Sequence, residues 1–172
     1  DLIKTVLPEL KALGVIFNSG EANSQKQVKE IKALCEQEGI KVVEATVSKT
    51  SDVVSVVKTL IGRVDAILLP TDNTVISALE SIVKISGDHK IPVFGSDVDI
   101  VRRGALAAYG VDWQESGLAL AKMVGGLLNG QSVEAVPIQN PDKLLLYINL
   151  ETAKKMGISI SEDLQKKADK VL

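Results

Sequence analysis

The sequence predicts an α/β fold, a doubly wound parallel sheet in the order of about 2-1-3-4-5 with helices on both faces. Three observations carry that expectation. Short β-branched-rich apolar runs alternate with segments of helical periodicity. The runs are continuously apolar instead of alternating, as strands covered on both faces are. Strand and helix follow one another in single file, which right-handed crossovers turn into a doubly wound sheet.

The strands are expected at 13–17, 40–45, 64–69, 91–94, 105–111 and 144–148. A helix at about 25–38 carries Val28, Ile31, Leu34 and Cys35 on one stripe, with Ser24 and Gln27 as a capping box and Gly39 as its stop. A second helix begins after Ser51, with Val53, Val57, Leu60 and Ile61 at helical spacing and Gly62 closing it. The third runs at about 73–85, with Val75, Leu79, Ile82 and Val83 facing the sheet. After the fifth strand a helix at about 113–128 leads to Asn129-Gly130, an irregular stretch with Pro137 and Pro141, the sixth strand and two short helices. Asn149 and Gly157 bracket the first of these; Ser161 caps the second, with Glu162 and Asp163 in its opening turn.

Composition narrows the function. The chain has 172 residues, 45% hydrophobic and 24% charged, with a net charge of −2 and no dense basic stripe, which argues against a nucleic-acid partner. Its longest apolar runs are too short to cross a bilayer. One cysteine, Cys35, forms no internal disulfide, and one histidine, His89, supplies no two-histidine metal site. No cofactor, metal or catalytic residue is expected. His89 falls in a loop before a strand, at the edge opposite the crevice, so it makes a poor triad member. Cys35 lies on an apolar stripe and reads as core.

In an open parallel sheet the ligand crevice lies beyond the carboxyl ends of the strands. Three loops reach it. Asn18-Ser19-Gly20-Glu21-Ala22-Asn23-Ser24 leads into a helix N-terminus, whose free N–H groups and dipole suit a carboxylate. With one glycine it is neither a dinucleotide fingerprint nor a phosphate loop. Thr71, Asp72 and Asn73 follow the third strand; for Asp72 and Asn73 capping and ligand contact compete equally. Asp97 and Asp99 follow the fourth; Asp99 reads as a helix cap and Asp97 as a ligand contact.

These loops, with Arg103-Gly104-Ala105-Leu106-Ala107, Gly110-Val111-Asp112 and the tail Ile148-Asn149-Leu150-Glu151-Thr152-Ala153-Lys154-Lys155-Met156-Gly157-Ile158, resemble the ABC-transporter substrate-binding proteins that include tryptophan and other aromatic amino-acid binders. The resemblance covers essentially the whole chain. It implies one lobe of a type I periplasmic-binding-protein fold: two α/β lobes that trap a ligand and pass it to ABC permease subunits, with no chemistry performed. It also implies an extracytoplasmic location, with a lipid anchor in a Gram-positive organism and free diffusion or an anchor in a Gram-negative one.

On that resemblance residues 1–112 are the ligand-binding lobe. Residues 113–142 are a crossover helix and linker belonging to a partner lobe on the N-terminal side, and 143–172 return to complete the first lobe. The chain crosses near Asp112 and returns near 140–143. Leu118, Ala121, Val124 and Leu128 give the crossover helix an apolar face, expected to pack back on its own lobe or on a neighbouring molecule. Asn18, Ser19, Glu21, Ala22 and Asn23 would meet a ligand carboxylate, Asp72, Asn73 and Asp97 an ammonium or other donors, and Thr71 is a further ligand-binding candidate beside them. With aromatic residues at 3%, and Phe17 and Phe94 inside strands, an aromatic ligand would find most of its side-chain pocket on the partner lobe. The competing class is the small-molecule effector domain of a transcription regulator, which shares the fold; an enzyme lacks a credible nucleophile or base.

Overall fold

A computed structural model describes residues 2–138 and 143–172. Pro141 and the return at 140–142 lie outside the described residues. The strands are β1 (Ala12–Asn18), β2 (Lys41–Val47), β3 (Ala66–Leu69), β4 (Val93–Gly95), β5 (Ala107–Val111), β6 (Leu144–Ile148) and β7 (Lys170–Val171). They form one sheet in the order β2-β1-β3-β4-β5-β6-β7, which contains the expected 2-1-3-4-5. The helices are α1 (Leu2–Val6), α2 (Ala22–Gln37), α3 (Val53–Leu60), α4 (Asn73–Ile76), α5 (Leu79–Asp88), α6 (Asp99–Arg102), α7 (Trp113–Leu128), α8 (Leu150–Met156) and α9 (Glu162–Lys167).

Alternate residues of β1 enter opposite layers, which is why its apolar run is unbroken. Ile16 packs with Val53, Val57 and Leu60 of α3 and with Leu79 and Ile82 of α5. Leu13, Val15 and Phe17 pack on the other face with Val28 and Cys35 of α2, Ala153 of α8 and Leu164 of α9. Phe94 is buried in this second layer, as its position inside a strand implies. Burial raises the Cys35 thiol above its usual range, keeping it an unreactive core group.

The sheet is not parallel throughout. β6 runs antiparallel to β5, pairing Val111 with Leu144 and Ala107 with Ile148, and β7 runs parallel to β6. The reason is where the chain re-enters: the Asp112 N–H donates to the Lys143 carbonyl at 3.1 Å, so the return starts beside the carboxyl end of β5 and can only run back along it. The expected third helix is two helices, α4 and α5, interrupted at Ser77 and Ala78. Leu34 leaves the predicted stripe of α2 and is exposed, at an angle that Val28 and Cys35 do not share. At the far end Asn149 accepts from the Thr152 N–H at 2.8 Å, Gly157 takes φ 75°, and Ser161 accepts from the Leu164 N–H, as the sequence signals imply.

Of the two surfaces expected to cover the apolar face of α7, its own lobe is not the one: the helix does not pack back on it. None of its residues is buried, and neither core layer includes one. Trp113, Leu118, Leu120, Val124 and Leu128 are all exposed. A cluster of ion pairs stands at the crossing. Lys143 Nζ lies 3.2 Å from Asp112 Oδ2 and 3.8 Å from Glu115 Oε2, while Asp112 Oδ1 caps α7 by accepting from the Gln114 and Glu115 N–H groups at 3.1 Å.

One polar atom in the core stands out. The Ser86 hydroxyl, on α5, is fully buried and finds no hydrogen-bond partner among the described residues. An unsatisfied buried hydroxyl costs about 1–3 kcal/mol, and alanine is the better helix former. Ser86→Ala is expected to raise stability by about 1 kcal/mol in urea titration; a clear loss of stability would mean that this hydroxyl is in fact bonded.

Candidate functional site

Because β1, β3, β4 and β5 run in one direction, the loops after them share one edge. His89 and Lys90 precede β4 and sit at the opposite edge, where His89 is the exposed C-cap of α5. The three predicted loops therefore share this edge, and the contacts between the first two are specific.

Asp72 is their centre. It is 1% exposed, and its carboxylate accepts three hydrogen bonds: from the Asn18 N–H at 2.7 Å, the Ser24 hydroxyl at 2.7 Å and the Val75 N–H at 2.9 Å. The last makes Asp72 the N-cap of α4. The first two tie the loop after β1 to the loop after β3. A buried carboxylate is tolerated only when its oxygens are satisfied in this way. Of the two roles open to Asp72, the cap is the one its contacts occupy.

Ser24 and Gln27 do not form the expected capping box. The Ser24 hydroxyl turns to Asp72, and Gln27 Oε1 accepts from the Thr71 N–H at 2.8 Å. Local pattern loses here because Asp72 offers a buried charged acceptor, a stronger partner than the helix's own N–H groups. Asn23 Nδ2 likewise donates to the Thr71 carbonyl at 2.7 Å.

The residue at the N-cap of α2 is Glu21, and its side chain does not cap α2. Its carboxylate reaches across to α4. Oε2 accepts from the Asn73 N–H and Nδ2, both at 3.2 Å, and Oε1 from the Thr74 N–H at 3.2 Å and the Thr74 hydroxyl at 2.9 Å. Burial alone would raise this carboxyl; the bonds from Asn73 and Thr74 outweigh it and hold Glu21 below the usual carboxylate range. Asn18 completes the knot, donating from Nδ2 to the Thr74 hydroxyl at 2.9 Å and accepting from the Gly20 N–H at 2.8 Å. Thr74 and Gln27 are the members that sequence reasoning missed, since neither carries a local signal for a partner about fifty positions away.

The consequence is a division between two helix N-termini. Asp72 and Glu21 take the first N–H groups of α4, whereas α2 has no side-chain cap and starts with the exposed residues Ala22 and Asn23. Ser19 is exposed beside it, with its carbonyl accepting from Gln25 Nε2. An anion has access to α2 and not to α4.

The loop after β4 reverses a prediction. Asp99 does not cap α6; it is an exposed first-turn residue 3.8 Å from Arg102. Asp97 Oδ1 accepts from the Asp99 N–H at 3.0 Å, so Asp97 organises the turn. Its Oδ2 makes no hydrogen bond among the described residues. Asp97 is only half-buried, and of the predicted acids it alone keeps a free oxygen at this edge without being fully exposed. A cavity of about 690 Å³ lies elsewhere, along α7, lined by Asp112, Gln114, Glu115, Leu118, Lys122 and Lys143. It borders the crossing, and none of the three loops lines it. Among the described residues no cluster of three or more metal-ligating side chains occurs, and no helix is long and apolar enough to cross a membrane.

A family profile described as ABC transporter substrate binding protein matches residues 1–172. The chain belongs to that family. Among its relatives, a Clostridioides difficile (strain R20291) protein named tyrosine-binding protein is 33% identical over 158 residues, 92% of this chain and 46% of the relative. The crystal structure of an ABC domain from Streptococcus pneumonia in complex with L-Trp shares 33% identity and a TM-score of 0.92, over 99% of this chain and 58% of the other. A conserved domain protein from Vibrio cholerae gives 36% identity and a TM-score of 0.93, with the same coverage. This substrate-binding family chain thus spans about half the length of the relatives it matches. Structures of sugar-binding transport proteins, such as one from Rhodobacter sphaeroides at 18% identity and a TM-score of 0.57, share the fold. The comparisons give the transcription-regulator reading no support.

The Glu21 contacts predict a pH dependence. A carboxyl held below its unfolded value of about 4.3 adds stability that is present above that value and is lost as pH falls through the folded one. The wild-type advantage over Glu21→Gln is therefore expected to be constant above about pH 5 and to shrink below about pH 4. Thermal midpoints measured across that range check it, and an advantage that grows on acidification would contradict the assignment.

Proposed function

We propose that this chain is one wall of a two-lobed cleft that binds an amino acid, of the aromatic class, and delivers it to an ABC permease outside the cytoplasm. Membership of the substrate-binding family is the observation that carries this reading. The ligand class comes from relatives above 30% identity, one named for binding tyrosine and one in complex with L-Trp.

The geometry supports an amino acid in particular. The uncapped N-terminus of α2, with the Ala22 and Asn23 N–H groups beside Ser19, suits an α-carboxylate. Asp97, with a free oxygen at the same edge, suits the ammonium. Asn18, Glu21, Thr71, Asp72 and Asn73 act behind these contacts, holding the loops in register. The protein acts by binding, through closure of two lobes.

Residues 113–142 belong, on this reading, to the partner lobe. The exposed apolar face of α7 and the half-length match to the relatives support that assignment. The partner lobe then supplies most of the surface for an aromatic side chain, because Phe17 and Phe94 are buried in this lobe's core.

The test is a thermal-shift screen on the protein that carries both lobes, against the amino acids and a set of sugars. A ligand at about 100 times its Kd adds roughly 2.7 kcal/mol, so L-tyrosine or L-tryptophan is expected to raise the midpoint by several degrees. A shift with sugars alone would discard the ligand class.

A further inference from the structure

We propose that Gly110 is a positioning residue for the cleft: its bare backbone is the seat on which the Ser96-Asp97 segment rests, and it thereby sets where the Asp97 carboxylate stands. The proposal rests on the reading that Asp97 meets a ligand ammonium.

β4 and β5 pair at only two positions, Phe94 with Ala107 and Gly95 with Ala108. Past Gly95 the chain leaves the sheet and lies against β5 at Gly110. A Cβ built on Gly110 would stand 2.6 Å from the Ser96 carbonyl oxygen, 3.1 Å from its carbon and 3.2 Å from the Asp97 Cα. All three are backbone atoms, so no rotamer change relieves the contact and the loop itself has to move.

Gly110 does not have a positive φ, unlike Gly104 or Gly157. Its lack of a side chain serves space alone, and alanine fits the strand's own conformation. The loop is held on its other sides as well. The Ser96 N–H donates to the Leu69 carbonyl at 3.1 Å, and Asp97 Oδ1 is engaged by the Asp99 N–H. With these ends fixed, displacement at Ser96 passes to Asp97. A binding group has to be held to within about 0.5 Å, so a methyl group is enough to misplace it.

The experiment compares Gly110→Ala, Asp97→Asn and the double variant in the protein carrying both lobes. Two probes are titrated, L-tyrosine and its des-amino analogue, hydroxyphenyl propionate. Gly110→Ala is expected to fold and to weaken L-tyrosine about tenfold while changing the analogue less than about twofold. It should add little in the Asp97→Asn background.

Equal weakening of both probes, or of neither, would overturn the proposal, as would an Asp97→Asn variant that still prefers L-tyrosine. Failure of Gly110→Ala to fold would overturn it too, because the seat would then hold the fold and not the carboxylate. If the unsubstituted protein binds neither probe, the amino-acid reading falls and takes this proposal with it; if it binds L-tyrosine and only the Gly110 variant behaves otherwise, the reading stands.

Discussion

The buried Asp72 carboxylate is the constraint on which the rest of the site depends. Removing a carboxylate from water is costly unless its oxygens are filled, and Asp72 fills them from three directions: Asn18 of β1, Ser24 of α2 and Val75 of α4. Each donor belongs to a different element. The position of the loop after β1 is thereby fixed relative to the loop after β3, although the two are more than fifty residues apart in the chain.

Glu21 follows from that arrangement. With α4 brought alongside, the carboxylate at the start of α2 finds four donors on Asn73 and Thr74 and abandons its own helix. Two acids then neutralise one helix N-terminus and leave the other uncapped. On the proposed reading that asymmetry is what the ligand uses: the open end of α2 would take the carboxylate of an amino acid, and Asp97, after β4 on the same edge, its ammonium.

Much of the fold was legible in the sequence because it depends on local pattern. Continuous apolar runs marked most of the strands, while β2 at the sheet edge alternates buried and exposed residues; Gly39, Gly62 and Gly157 marked helix ends, all three with positive φ. The direction of β6 was not legible, since it depends on where the chain returns at Lys143; β7, two residues long, is too short to carry a period. The site was legible as a set of loops but not as a set of roles. Ser24 and Gln27 have the spacing of a capping box, yet tertiary partners claim both. Asp97 and Asp99 are two residues apart, and only the geometry of the turn tells which of them organises it. The apolar face of α7 was visible, but a periodic stripe does not tell which surface covers it, and the lobe does not.

The most direct measurement is hydrogen exchange on the protein carrying both lobes, with and without saturating L-tryptophan. The account predicts added protection at residues 19–23 and 96–98, with no change at 86–91 on the opposite edge of the sheet. Protection confined to α7, or distributed evenly over both edges, would contradict the claim that the tied loops after β1 and β3, together with the loop after β4, form the ligand wall.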